Sequence, residues 1–184
     1  MKHCHGYTAI ILGLLSLGSL AARAQNPQAK MPMGEQTSSM TSQVAAPAEE
    51  LKITFGDKSA TWTVATLASL PHVTVNVHNE HTKADETYSG VPLIALLATL
   101  GVNDKPRGKD LRLYVVAEGS DLYEVVYSIG EVTPDVSSST VIVADTENGK
   151  ALAGDGPMKM IATGEKRPAR WVRSLVAVKV FAAE

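Results

Sequence analysis

The sequence predicts a strand-rich α+β domain with a mixed or antiparallel sheet and few, short helices. Three observations carry this. Runs of strand type outnumber helical ones: Leu51–Phe55, His72–His78, Leu111–Ala117, Leu122–Ile129, Thr140–Ala144, Met158–Ala162 and Leu175–Phe181 all read as strands. Most connections between them are too short for the crossover that a parallel pair requires. Only one segment, Pro92–Leu100, shows a sustained helical stripe, with Leu93, Leu96, Leu97 and Leu100 at i, i+3, i+4 and i+7.

The elements follow in order. Leu51-Lys52-Ile53-Thr54-Phe55 alternates and stops at Gly56-Asp57-Lys58, a hairpin signal leading into Ala60–Val64. Val64–Leu70 reads as a short helical turn stopped by Pro71. In His72–His78 the residues Val73, Val75 and Val77 share one face, expected to be the core face, and Thr74, Asn76 and His78 share the other. Pro92 suits a first helical turn and Gly101 a stop. Gly119-Ser120-Asp121 turns the chain between two strands, and Thr140–Ala144 lacks alternation, as a buried strand does.

Ahead of this domain lie two segments of different character. Lys2 opens a short polar start, Ile10–Ala22 is an apolar, Leu-rich run of signal-sequence length, and Ala22-Arg23-Ala24 places small residues where a signal peptidase reads them. The expectation is a signal peptide over 1–24, cleavage after Ala24 and a periplasmic or secreted product with no membrane span after cleavage. Residues 25–48, built of Gln, Pro, Ser, Thr, Ala and Met, read as a disordered linker. Met31, Met33 and Met40 are soft thioethers of the kind copper(I) takes, but their spacing makes a poor ligand set. Residues 49–184 are of single-domain size.

The one cysteine is Cys4, so cleavage leaves a product without disulfides or thiolate ligands. It also lowers Lys plus Arg from 17 to 15 against 19 Asp plus Glu, a balance of −4. A mildly acidic chain without a concentrated basic face excludes nucleic acid as the expected partner.

Several phrases recur in a telling order. Gly90-Val91-Pro92-Leu93 opens the helix, Asp121-Leu122-Tyr123 follows a turn, and Gly156-Pro157-Met158-Lys159-Met160-Ile161 precedes Arg170-Trp171-Val172-Arg173. Together they resemble the molybdopterin-binding domain of the sulfite oxidase family, which reads roughly G-V-P-L, D-G-Y, G-P-x-R-L-V and K-W-V-K. The resemblance covers about residues 70–182. It implies a pocket that holds a pterin cofactor, with His78, Asp121, Tyr123, Lys159, Arg170 and Arg173 as the cofactor-binding candidates. Lys159 stands where many relatives have arginine, and Leu122 replaces the family's glycine. The resemblance also implies a metal-ligating cysteine about a dozen residues before Gly90, near His78, and this chain has none there. Imidazole is a harder, neutral donor and does not reproduce a molybdenum–thiolate bond.

Other chemistry was weighed on the residues themselves. His78, Glu80, His81, Asp85 and Glu86 place two imidazoles and three carboxylates within nine residues, a set that zinc can use only if the loop turns back on itself. The plainer reading is a solvated polar loop. Glu118 and Asp121 form a possible carboxylate pair, with nothing in the sequence to fix their separation. No phosphate loop, serine elbow or cysteine–histidine pair is present. The expected function is an exported small-ligand-binding or accessory protein, its ligand a small or anionic molecule, without bound molybdenum. The alternatives are a molybdopterin-dependent oxidoreductase lacking a protein thiolate, and a non-catalytic envelope scaffold.

Overall fold

A computed structural model describes residues 49–184. The expected signal peptide and linker, with Met31, Met33 and Met40, lie outside the described residues. Two sheets form the domain. The first runs in the order β2 (Lys58–Thr63), β1 (Glu50–Phe55), β10 (Leu175–Ala182), β5 (Leu113–Gly119) and β6 (Glu124–Ser128). Its β1–β10 pair is parallel and its other pairs are antiparallel. The second runs β3 (Val73–Asn79), β4 (Ala84–Pro92), β7 (Val141–Glu147) and β8 (Lys150–Ala151), with β9 (Lys159–Ala162) also paired to β7. The helices are α1 (Val64–Leu67) and α2 (Leu93–Ala98), with short 3-10 helices at Gly108–Arg112 and Pro168–Arg170. The predicted class, a strand-rich mixed-sheet α+β domain, agrees with this architecture.

One hydrophobic cluster draws on both sheets. Leu51, Ile53, Val115, Ala117, Val178 and Tyr127 come from the first, and Val75, Val77, Tyr88, Ile142 and Ile161 from the second. The leucine stripe of α2 is buried in the same cluster, with Leu93, Leu96 and Leu97 fully enclosed. The stripe spans the predicted residues, but the helix begins one residue late. Pro92 still pairs with Ile142 as the last residue of β4 and serves as the N-cap.

Three expectations are corrected. Val73, expected on the core face, is exposed at the strand's start, while Val75 and Val77 are buried. Leu111 lies in a 3-10 helix ahead of β5. Residues 78–86, read as a polar loop, form the end of β3, the turn and the start of β4. The inward face of β4 begins with Glu86, then Tyr88, then Gly90. A carboxylate at the first inward position conceals the period-2 signal.

Gly90 has a packing reason. A Cβ there would lie 2.2 Å from the Val143 carbonyl oxygen, so β4 and β7 approach more closely than any side chain permits. The ladder slips at this point: Ser89 opposes Thr146 and Gly90 opposes Ala144, which leaves Asp145 as a bulge. The Asp145 carboxylate meets His72 Nε2 at 2.9 Å, and His72 Nδ1 lies 2.8 Å from the Leu70 carbonyl. Both ring nitrogens face acceptors, so the imidazolium is the favoured form, and the hydrogen bond to Asp145 raises the His72 pKa above its ordinary value.

Candidate functional site

Strand alternation sets the inner end of the site. With Val75 and Val77 facing inward, Asn79 is the next residue on that face, and it pairs across the hairpin with β4. Its amide nitrogen donates to both Glu86 oxygens, at 2.9 and 3.0 Å. Its carbonyl oxygen accepts from the backbone of His81 and Thr82 and so closes the β3–β4 turn. Thr82 Oγ1 donates to Glu86 at 2.9 Å, and the Tyr88 hydroxyl donates to it at 2.8 Å. Asn79, Glu86 and Tyr88 are all buried.

Burial alone would raise the Glu86 pKa. The bonds from Asn79, Tyr88 and Thr82, with the charge of Lys159, hold it below the ordinary carboxylate value instead. The Tyr88 phenol moves the other way, far above its usual range, through burial first and then the adjacent Glu86.

Lys159, the first residue of β9, completes the network. It is 5% exposed. Its ammonium donates to the Tyr88 hydroxyl at 3.0 Å and to Asp155 at 2.6 Å. It also lies 4.9 Å from the Tyr88 ring centroid and 5.4 Å from that of Trp171, within cation–π range. The two rings meet edge to face at 5.9 Å. Trp171 is itself fixed by donating from Nε1 to the Ala162 carbonyl.

Above this network opens a cleft of about 430 Å³. Its lining includes Asn79, His81 and Thr82 of the β3–β4 turn and Asp121 and Tyr123 at the tip of the β5–β6 hairpin. Asp155, Lys159, Pro168, Ala169, Trp171 and Arg173 complete the lining. The hairpin tip is a three-residue loop in which Leu122 adopts φ +67°. Leu122 therefore takes the left-handed position that glycine favours in such a loop. Asp121 accepts from the Tyr123 backbone, and the Tyr123 hydroxyl donates to the Ala169 carbonyl, tying the hairpin tip to the Pro168–Arg170 3-10 helix.

The fold thus brings Asp121, Tyr123, Lys159 and Arg173 to one cleft, and it leaves two of the sequence candidates outside the lining. His78 is the residue before Asn79, so the pleat turns it outward. It is half exposed and pairs with Asp85 at 2.7 Å. Arg170 points away, over the Tyr127 ring at 4.1 Å, with Glu131 and Glu165 each at 2.9 Å and the Val126 carbonyl also bound. Asn79, Tyr88 and Asp155 are not among the sequence candidates, and Glu86 enters there only as a zinc ligand. The inward register of β3 is a signal for Asn79. Nothing local marks Asp155 or the buried role of Glu86.

The strand end where the resemblance implies a thiolate presents the Asn79 carboxamide inward, with both its ends engaged by Glu86 and the β3–β4 turn. The residues at that point do not fit a metal anchored by the protein. Among the described residues, no group of three or more His, Cys, Asp and Glu side chains is arranged to hold a metal ion. The Glu118 carboxylate, the possible partner of Asp121, pairs instead with Lys179 at 2.5 Å. No helix of the described residues is long and apolar enough to cross a membrane.

No protein-family model and no curated protein sequence matches the chain. Among solved structures it is similar to the sulfane dehydrogenase SoxCD from Paracoccus pantotrophus, with a TM-score of 0.56 and 23% sequence identity. The match covers 72% of this chain and 38% of that one, so this chain corresponds to well under half of that protein's length. At this identity the likeness shows a distantly related fold and nothing finer.

Proposed function

We propose that this chain is an exported small-ligand-binding or accessory domain with a fold of the molybdopterin-binding type. Its cleft takes a small polar or anionic molecule, and it works without a molybdenum centre held by the protein. The buried Lys159 carries this reading. A lysine ammonium has three donors, and two are engaged by Tyr88 and Asp155. The third has no acceptor among the described residues and belongs to a side chain that lines the cleft. Arg173, 67% exposed, adds a guanidinium whose contact with Asp155 is a long 3.8 Å. Asp121 supplies an acceptor in the same lining. Such a cleft recognises a ligand with an anionic group and a hydrogen-bonding edge, the character of an anionic pterin.

Titration calorimetry of the full-length protein with pterin-6-carboxylate and with inorganic sulfate tests this. Binding that weakens about tenfold or more in Lys159→Met and in Arg173→Ala is expected. Absence of binding by both probes would remove the cleft as an anion site. The fold likeness to a dehydrogenase favours a second reading, an oxidoreductase that holds molybdopterin by hydrogen bonds alone. Elemental analysis of protein purified from its native envelope separates the two: about one molybdenum per chain supports the second, and substoichiometric metal the first.

A further inference from the structure

We propose that Asp155 is a built-in competitor for the ligand's anionic group, and so the residue that sets which ligand charge the cleft accepts. The inference rests on the cleft being a ligand site. Asp155 is a carboxylate that touches both cationic groups of the site: Lys159 Nζ at 2.6 Å and Arg173 Nη1 at 3.8 Å. These are the contacts that an incoming carboxylate, sulfate or phosphate would make.

Backbone and side chain play separate roles here. Asp155 lies between Gly154 at φ +87° and Gly156 at φ +80°. Its carbonyl accepts from Ser174 N, and a Cβ on Gly156 would meet Ser174 Oγ at 2.5 Å, so the loop backbone is pinned against the Ser174 turn. The side chain is 26% exposed and reaches the cleft from that fixed base. Rotating it toward solvent requires no movement of the loop. Lys159 would not be stranded by that rotation, because the Tyr88 hydroxyl and the rings of Tyr88 and Trp171 remain around it.

The consequence is a selectivity rule. With Asp155 in place, a ligand anion must displace a carboxylate already paired to Lys159. Weakly coordinating anions fail, and a ligand that also uses Asp121 or the cleft walls succeeds. With Asp155 neutralised, the Lys159–Arg173 pair becomes a plain anion site, because the like-charge penalty against the ligand is gone.

Sulfate titration of the full-length wild type, Asp155→Asn and Asp155→Ser tests this, with thermal melts to confirm that each variant is folded. Sulfate affinity is expected to rise about tenfold in both variants and to depend on Lys159 in both. Detectable binding only in the variants would support the proposal equally. Wild-type binding with equal or weaker binding in both variants would overturn it while leaving the ligand site intact, and would make Asp155 a residue that positions Lys159. No sulfate binding by any of the three proteins would overturn the proposal, and the ligand-site reading falls with it only if pterin-6-carboxylate also fails to bind the wild type.

Discussion

Two regions of this domain use the same chemistry to opposite ends. In each, a cation sits over a tyrosine ring and is held by acidic side chains: Lys159 with Tyr88 and Asp155 at the cleft, Arg170 with Tyr127, Glu131 and Glu165 beside the first sheet. The difference lies in what remains uncommitted. Arg170 meets two carboxylates and a carbonyl on the edge strand β6, and the Tyr127 hydroxyl beneath it donates to its own backbone carbonyl. It is a staple that covers an unpaired sheet edge. Lys159 is more deeply buried, yet one donor remains on a side chain that lines a cleft. The count of unused hydrogen-bonding groups and their place in the fold separate a site from a brace; the residue types do not.

The largest expected effect tests the cleft side of that contrast. Glu86→Ala leaves the Asn79 amide, the Thr82 hydroxyl and the Tyr88 hydroxyl without their shared acceptor, and two of these side chains are buried. A loss of about 3 kcal/mol or more in urea unfolding is expected, since each stranded buried group costs about 1–3 kcal/mol. A loss under about 1 kcal/mol would show that water reaches this network and would make the two regions alike. Next comes Arg170→Met. Its ion pairs are partly exposed, so a loss of about 1 kcal/mol is expected, with anion affinity unchanged. A drop in anion affinity would break the contrast, because it would make the staple part of the site.

Acid sensitivity sharpens the same point. Glu86 has a folded pKa below its ordinary 4.5, so its contribution is fully present above that value and is lost as pH falls through the folded value. The protein should therefore lose stability on acidification, and Glu86→Gln should flatten that limb. His72 carries the opposite sign. Its folded pKa is raised above 6.5, so its contribution is fully present below 6.5 and is lost as pH rises through the folded value. Melting midpoints measured from pH 6 to 9 should fall, by less in His72→Gln. An unchanged alkaline limb in that variant would show that the His72–Asp145 pair does not brace the bulge.

The unequal legibility of these regions has a physical cause. The leucine stripe of α2, the alternation of β3 and the turn at Gly119–Leu122 announce themselves because each obeys a local period or turn rule. Strand β4 does not, because Glu86 holds an inward position only by virtue of partners at 79, 82 and 88. Those partners converge once the β3–β4 hairpin has closed. The same holds for the basic C-terminal group. Arg170 and Arg173 are equivalent in sequence, and the acidic residues that capture the first, Glu131 and Glu165, come from separate loops. His78 and Asn79 are separated by a single pleat, so a count back from Gly90 that is off by one exchanges an exposed residue for a buried one.

The smallest expected effect concerns the rim between ligand and solvent. Leu122 has φ +67°, where a branched side chain is strained, and it is 78% exposed, so little packing compensates for that strain. Leu122→Gly removes the strain and adds freedom to the unfolded chain, and these effects oppose each other. Because a left-handed residue other than glycine costs roughly 1–2 kcal/mol and the added entropy less than that, a net gain of about 0.5 kcal/mol is expected in urea unfolding. Anion affinity should not change, since the cleft is lined by the flanking Asp121 and Tyr123 and not by Leu122. A stability loss would mean that the exposed leucine packs against something it does not touch here. A fall in anion affinity at unchanged stability would extend the site from the cleft wall onto the hairpin tip.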